Sequence, residues 1–382
     1  MDLNKNPVII KKVYMEKKDI IFVKKLKLRC GTVIILFLLV ISGMTVKGIA
    51  KKELLNSNEE RGVGTFSNDF YFIHITDTHV MNKVFDWHEV SKKRLRSLLD
   101  YVCSFEKKPA FIVITGDLTE WGGSRISGAL NCRAFASCFY EKNASFYADA
   151  NYSIPIFTTP GNHDYCYNRN LMNYHRIIYP VDRYIVQYQD VSLFFMNSGP
   201  SYFEEVYNWV ENIDGDGLYD DDMEWLESHL EKCNSSIKIV LMHHPAVNVR
   251  NTNGMMWDVL ARNREAFVML CEQYGVDVVL AGHTHEERIF DGNETFYSTN
   301  TSLNCSLYPT LFVQTDDCKQ GVHYRNVSIS GDNVWLERCA ELSVSVTDDD
   351  FPMTFQQFYI DKRGGNTFIC NPFLSVKFIA TG

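Results

Sequence analysis

The sequence predicts an α/β fold with two packed sheets, a four-layer α/β/β/α sandwich over about residues 69 to 340. Three observations lead there. Short apolar runs rich in β-branched and aromatic residues alternate with helical patterns as far as His285. Past His285 the pattern changes to short strands without helices, FYS, TLFVQ, GVHYRNVSIS and VWLERC, which a second sheet would absorb. Five of the earlier runs end in clusters of Asp, His and Asn, at the strand ends where open α/β sheets keep their ligands.

The chain begins with a different kind of segment. Residues 1–29 are basic, and Cys30 to Val46 is an uncharged, largely apolar stretch of 17 residues. Residues 30–50 therefore read as a signal anchor with the N-terminus inside, or as a signal peptide with Gly48 and Ala50 as its small cleavage-site residues. Both readings send the rest of the chain across a membrane, so the expected location is extracytoplasmic, anchored or secreted. Residues 51–68 are polar and read as a linker. Ten cysteines follow Cys30, an even number that suits disulfides in an oxidising compartment, with buried thiols as the alternative. Sequons at Asn143, Asn151, Asn234, Asn293, Asn300, Asn304 and Asn326 all lie beyond the apolar segment, as expected of a glycoprotein.

The strand runs are 69–76, 110–115, 153–159, 191–197, 237–242 and 276–281, apolar on both faces as buried strands are. Helices are expected over Asp220 to Cys233, which opens on an acidic run, and over Arg262 to Tyr274. Residues 341–382 read as an appended strand element. The body after residue 52 carries 26 basic and 44 acidic side chains, which repel phosphate backbones and exclude a nucleic-acid partner.

The polar clusters are Asp77-Thr78-His79, Gly116-Asp117, Gly161-Asn162-His163-Asp164, His243-His244-Pro245 and Gly282-His283-Thr284-His285. Each alone is generic; their order after hydrophobic strands is not. Glycines before Asp117, Asn162 and His283 allow a strand to leave its sheet while its backbone approaches a neighbour closely. Imidazole, carboxylate and amide oxygen without a cysteine suit Fe, Mn, Zn or Co rather than a structural zinc knot.

In this order, D-x-H, G-D, G-N-H-D, H and G-H-x-H, the blocks resemble the calcineurin-like metallophosphoesterase superfamily from about Tyr71 to Cys339. The G-N-H-D, M-H-H-P and G-H-T-H spellings, with GLYDDDMEWLESHL at 217–230, look most like its class III cyclic nucleotide phosphodiesterase branch. The resemblance implies the sandwich of the metallo-dependent phosphatase type and two divalent or trivalent transition metal ions. It implies that Asp77, His79 and His285 hold one ion, that Asn162, His243 and His283 hold the other, and that Asp117 bridges both. A metal-bridging hydroxide would then hydrolyse a small phosphoester, with His163 facing the phosphate as the catalytic residue. His244 would stand behind the ligands or face the substrate, and Asp164 would stand behind the ligands, orienting a ligand imidazole. The alternatives are a catalytically silent extracellular binding protein on the same fold and a sphingomyelinase-like phosphodiesterase; the complete ligand set favours a hydrolase. The acidic stretch Asp214 to Asp220 lacks the turn glycine of a calcium loop and reads as a solvated loop.

Overall fold

A computed structural model describes residues 69–139, 154–166, 170–200, 215–298 and 302–343, and the backbone of four strands beyond them. The basic and apolar N-terminal segments and the linker lie outside these residues, as do Asn143, Asn151, Asn300 and Cys370. Among the described residues no helix is long and apolar enough to cross a membrane.

In chain order the strands are β1 (Asp69–Ile75), β2 (Ile112–Thr115), β3 (Ile154–Thr159), β4 (Tyr184–Tyr188), β5 (Val191–Phe195), β6 (Ile237–Leu241) and β7 (Val278–Ala281). There follow β8 (Arg288–Asp291), β9 (Phe296–Tyr297), β10 (Ser302–Asn304), β11 (Leu311–Gln314), β12 (His323–Ser330), β13 (Asn333–Glu337) and β14 (Ala340–Glu341). The tail contributes β15 (Phe355–Gln357), β16 (Ile360–Asp361), β17 (Thr367–Phe368) and β18 (Val376–Ala380). The helices are α1 (Val90–Ser104), α2 (Ser127–Ser137), the single turn α3 (Asn162–Tyr165), α4 (Asp220–Glu231) and α5 (Arg264–Gln273).

Two sheets form. One runs β10-β13-β12-β1-β2-β3-β15, with β14 pairing β12, and the other runs β18-β4-β5-β6-β7-β11-β8-β9. The parallel stretches β1-β2-β3 and β5-β6-β7-β11 are the catalytic-looking halves of their sheets. The late strands do not make a sheet of their own, as the change of pattern after His285 had suggested. Instead β12 pairs antiparallel with β1 in one sheet and β11 pairs parallel with β7 in the other. The tail likewise adds β15 to β3 and β18 to β4, one strand for each sheet.

Side-chain alternation explains the layering. Ile237, Ile239 and Leu241 of β6, Val278 and Leu280 of β7, and Leu311 and Val313 of β11 join the core shared with β1, β2 and β3. Their alternates Val240, Val279 and Phe312 join a second core with Trp225, Leu226 and Leu230 of α4 and Phe267, Leu270 and Cys271 of α5. Leu95, Leu98, Leu99 and Val102 of α1 and Phe135 of α2 close the first core from the other side. A period-2 strand buried on both faces has to separate two cores in this way, and the result is helix, sheet, sheet, helix.

The expected disulfides are not seen among the described residues, where Cys132, Cys138, Cys233, Cys271, Cys305, Cys318 and Cys339 are free thiols. Cys132, Cys138, Cys305 and Cys318 are packed as small apolar groups in the first core and Cys271 in the second. Burial pushes the Cys132, Cys138 and Cys318 thiols up to about 12, so they stay protonated. Of the sequons, Asn234 and Asn293 are exposed, while the Asn326 amide donates to Glu337 at 2.7 Å.

Candidate metal centre

All five polar clusters leave the carboxyl ends of strands: Asp77 and His79 after β1, Asp117 after β2, Asn162 and His163 after β3, His243 after β6, and His283 and His285 after β7. Leaving a strand so sharply bends the backbone. Asp77, His79, Asp117, His283 and His285 all have φ between 42° and 72°, the left-handed region that side-chain-bearing residues rarely enter. Gly116 shares that conformation at φ 76°, and a Cβ there would fall 2.4 Å from the His243 ring. A Cβ on Gly282 would fall 1.8 Å from Thr76 Oγ1 and 2.5 Å from Asp77 Oδ2. These close approaches bring the loops of the two sheets into one cluster.

The ligating atoms of Asp77, His79 and His285 lie within 4.8 Å of one another, as do those of Asp77, Asp117 and His243. His285 Nε2 is 3.3 Å from Asp77 Oδ1, and His243 Nε2 is 3.3 Å from Asp117 Oδ1 and 3.0 Å from Asn162 Oδ1. His283 donates its backbone N–H to Asp77 Oδ2 at 2.8 Å, and His163 donates its own to Asp117 Oδ1 at 2.8 Å. His243, His244 and His283 form a third group within the same limit. The structure thus brings together every residue that the five motifs singled out.

Carboxylates and imidazoles shift one another throughout the cluster. Burial disfavours the ionised forms of Asp77 and Asp117, yet His243 and the neighbouring histidines hold both carboxylates well below the usual range. Burial is the largest influence on His243 and His163 and opposes their protonation, but Asp117 together with Asp77 at His243, and together with Glu120 at His163, pushes each up to about 9. Protons on imidazoles are standing where positive charge is required. Asp77 Oδ1, His79 Nε2 and His244 Nε2 are buried and make no hydrogen bond. Such atoms, all lone-pair donors, fit a cation.

Tautomers are set from behind. His79 Nδ1 donates to Glu120 Oε1 at 2.9 Å, which leaves Nε2 as a free lone pair aimed at Asp77 and Asp117. The other Glu120 oxygen accepts from His163 Nδ1 at 2.6 Å. His243 Nδ1 donates to the Thr115 carbonyl at 2.9 Å, and His285 Nδ1 lies 3.4 Å from Asp317 Oδ2. Glu120, Asp317 and Lys319 escaped the sequence reading. A Glu three residues after Asp117 is the one signal that pointed to any of them.

Asp164 differs from its expected role. Its carboxylate accepts from the backbone N–H groups of Leu118, Thr119 and Gly161 at 2.9 to 3.1 Å, so it clamps the loops that carry Asp117 and Asn162 and orients no imidazole. Burial and Asp117 raise it to about 6. His244 is fully buried and does not reach solvent; its Nδ1 is 2.8 Å from Ser198 Oγ and its ring is 4.4 Å from that of His283.

A cavity of about 580 Å³ has a lining that includes Tyr165, Asp182, Arg183, Asn197, Asp216 and Asp222. None of the proposed donors lines it; Tyr165 lies two residues past His163 in the chain, and Asn197 and Gly199 flank Ser198, whose Oγ is 2.8 Å from His244 Nδ1. The lining holds four carboxylates, Asp182, Asp216, Asp221 and Asp222, against the one guanidinium of Arg183, which Asp222 engages at 2.6 Å, so the cavity is acidic. Asp216, expected in a solvated loop, is buried there and accepts from the Tyr219 hydroxyl at 2.5 Å.

The chain is similar to several known proteins. A probable cyclic nucleotide phosphodiesterase of Coxiella burnetii is 28% identical over 148 residues, 38% of this chain and 53% of its own length. The chain thus matches about half of that relative. Among solved structures, a purple acid phosphatase of yellow lupin aligns with TM-score 0.48 at 12% identity, covering 76% of this chain and 54% of its own. The calcineurin-like phosphoesterase YfkN of Bacillus subtilis aligns with TM-score 0.41 at 13% identity, covering 72% and 91%. The family model for calcineurin-like phosphoesterases matches residues 70–287, more than half of the chain and all five clusters. The chain belongs to the calcineurin-like phosphoesterase family, whose metallophosphoesterase members imply divalent metal ions for the His and Asp clusters.

Proposed function

We propose that this domain hydrolyses a small phosphoester, a diester in the first instance, with two transition metal ions. The observation that carries the reading is the pair of overlapping donor groups, Asp77-His79-His285 and Asp77-Asp117-His243, with lone pairs buried and unbonded. Asp77, His79 and His285 would hold one ion, Asn162, His243 and His283 the other, and Asp117 would touch both. Such ions supply Lewis acidity toward the phosphoryl oxygens and a water acidic enough to attack near neutral pH. The name of the Coxiella relative supports a diester.

The chain's own residues do the remaining work. His163 is anchored at Nδ1 by Glu120 and keeps a proton at Nε2, 3.9 Å from Asp117 Oδ2, where a leaving oxygen would collect it. Asp164 holds the loops of Asp117 and Asn162 at fixed spacing. The cavity lined by Tyr165 has room for the ester's alcohol. Upstream, residues 30–50 would direct or tether the domain across a membrane, and 51–68 would link it.

The test is hydrolysis of bis(p-nitrophenyl) phosphate by the full chain with Mn(II), before and after chelation. Turnover that chelator abolishes and Mn(II) restores is the expected result. No hydrolysis across Mn(II), Zn(II), Fe(II) and Co(II) would return the protein to the silent binding class.

A further inference from the structure

We infer that Lys319 is a positioning residue for this site, acting through Glu120 on His163. The inference rests on the hydrolytic reading above and adds a residue which lies in none of the five motifs.

Lys319 sits on the connection between β11 and β12. Those strands belong to different sheets, so the connection crosses the seam of the sandwich at the rim where the polar clusters meet. It is pinned at both ends: Thr315 N donates to the Ala281 carbonyl at 3.0 Å, just before His283, and Cys318 N donates to the Thr76 carbonyl at 3.1 Å, just before Asp77. Asp317 folds the turn by accepting from the backbone N–H of Lys319 at 2.7 Å, while Arg94 of α1 binds the Lys319 carbonyl. The side chain therefore leaves a fixed backbone.

Its ammonium donates to Glu120 Oε1 at 2.9 Å and lies 3.4 Å from His79 Nδ1. Glu120 thus carries three donors on two oxygens, with His79 and Lys319 sharing Oε1 and His163 alone on Oε2. Without Lys319 each Glu120 oxygen keeps one imidazole, and the carboxylate loses the donor on a fixed backbone that sets the position of its Oε1 end. His163, 27% exposed, is the least constrained of the imidazoles joined to Glu120 and would lose its alignment first. Lys319 is 37% exposed while Glu120 is buried, and a charge-assisted hydrogen bond on a buried carboxylate can set such an angle.

The experiment compares wild type, Lys319→Met, Lys319→Arg, His163→Ala and the Lys319→Met/His163→Ala pair, all as the full chain with Mn(II). Metal content is read by elemental analysis beside the kinetics. Lys319→Met should keep its metal and its KM while kcat for an unactivated alkyl phosphodiester falls by about 10-fold, with a smaller fall for a nitrophenyl ester. Lys319→Arg should recover most of the loss. The double variant should be no slower than His163→Ala alone, because both changes remove one function. Additive losses, or an equal fall for both esters with loss of metal, would overturn the assignment. Inactive wild type would instead sink the hydrolytic reading, so the two failures are distinguishable.

Discussion

Glu120 accepts from His163 on one carboxylate oxygen at 2.6 Å and from His79 on the other at 2.9 Å. One side chain thereby fixes a candidate metal-facing imidazole and a candidate proton donor in a single rigid unit. The two histidines should still fail differently from the carboxylate they surround.

Asp117→Asn removes charge from the place where both ions would sit, so it should lose metal as well as activity. His163→Ala leaves every proposed ligand in place. Full metal content with turnover of unactivated esters reduced by about two to four orders of magnitude is the expected outcome. Elemental analysis beside kinetics decides it; full occupancy in Asp117→Asn would break the bridging role.

Stability of the metal-free protein should fall as pH rises from 6.5 to about 9. Burial opposes protonation of His163, His243 and His285, but Asp117, with Glu120 at His163 and Asp77 at His243, raises the first two from 6.5 to about 9, and Asp77 raises His285. The folded state then binds more protons than the unfolded one in that window, so the stabilisation, complete below 6.5, disappears through it. His74 and His244 are lowered by burial and act in the opposite sense, but below 6.5. Thermal melts in chelator at pH 6.5, 7.5 and 9 should show a declining Tm, and Mn(II) should flatten the decline. A Tm that rises with pH in chelator contradicts the charge balance described.

Gly282→Ala should cost about 1 to 3 kcal/mol, since its methyl must displace Thr76 or Asp77 in a fully packed region. The same displacement moves a proposed ligand, so metal content should drop with stability. Urea denaturation and elemental analysis of one preparation measure both, and normal metal in the variant would show that Asp77 tolerates the shift.

The carboxylates of the cavity should reject a second phosphate. Substrates carrying an additional phosphate on the alcohol should show kcat/KM at least about tenfold below neutral analogues, and Asp216→Asn should narrow the gap. An equal rate for both substrates in wild type would place the alcohol elsewhere.

Much of the centre was legible because its residues follow strands directly: a polar Asp, His or Asn after an apolar run is visible in one dimension. The parts that were not legible depend on the third. Lys319 reaches Glu120 from 199 residues away, and Asp164 binds backbone amides, which carry no sequence signal at all. Helices α1 and α2 went unassigned; α1 carries Lys92, Lys93, Arg94 and Arg96 among its buried leucines, and α2 opens on Ser-Gly. The allocation of late strands to both sheets was hidden because β1 meets β12 across more than 250 residues, a pairing no local pattern announces. Disulfides were expected from an even count and an oxidising compartment, and neither shows which thiols pack singly into a core, as Cys132, Cys138, Cys271, Cys305 and Cys318 do.

The division of the donors between the sheets has one more consequence. Asp77, Asp117 and Asn162 follow strands of one sheet, and His243, His283 and His285 follow strands of the other. Ions seated among them would rivet the two halves of the sandwich at a single point on its edge. Separation of the halves would then require release of the rivet, so occupancy should appear in hydrogen exchange as coordinated slowing at β3 and β6, strands that share no hydrogen bond. A reagent that strips the ions would act on the integrity of the sandwich as directly as on its chemistry.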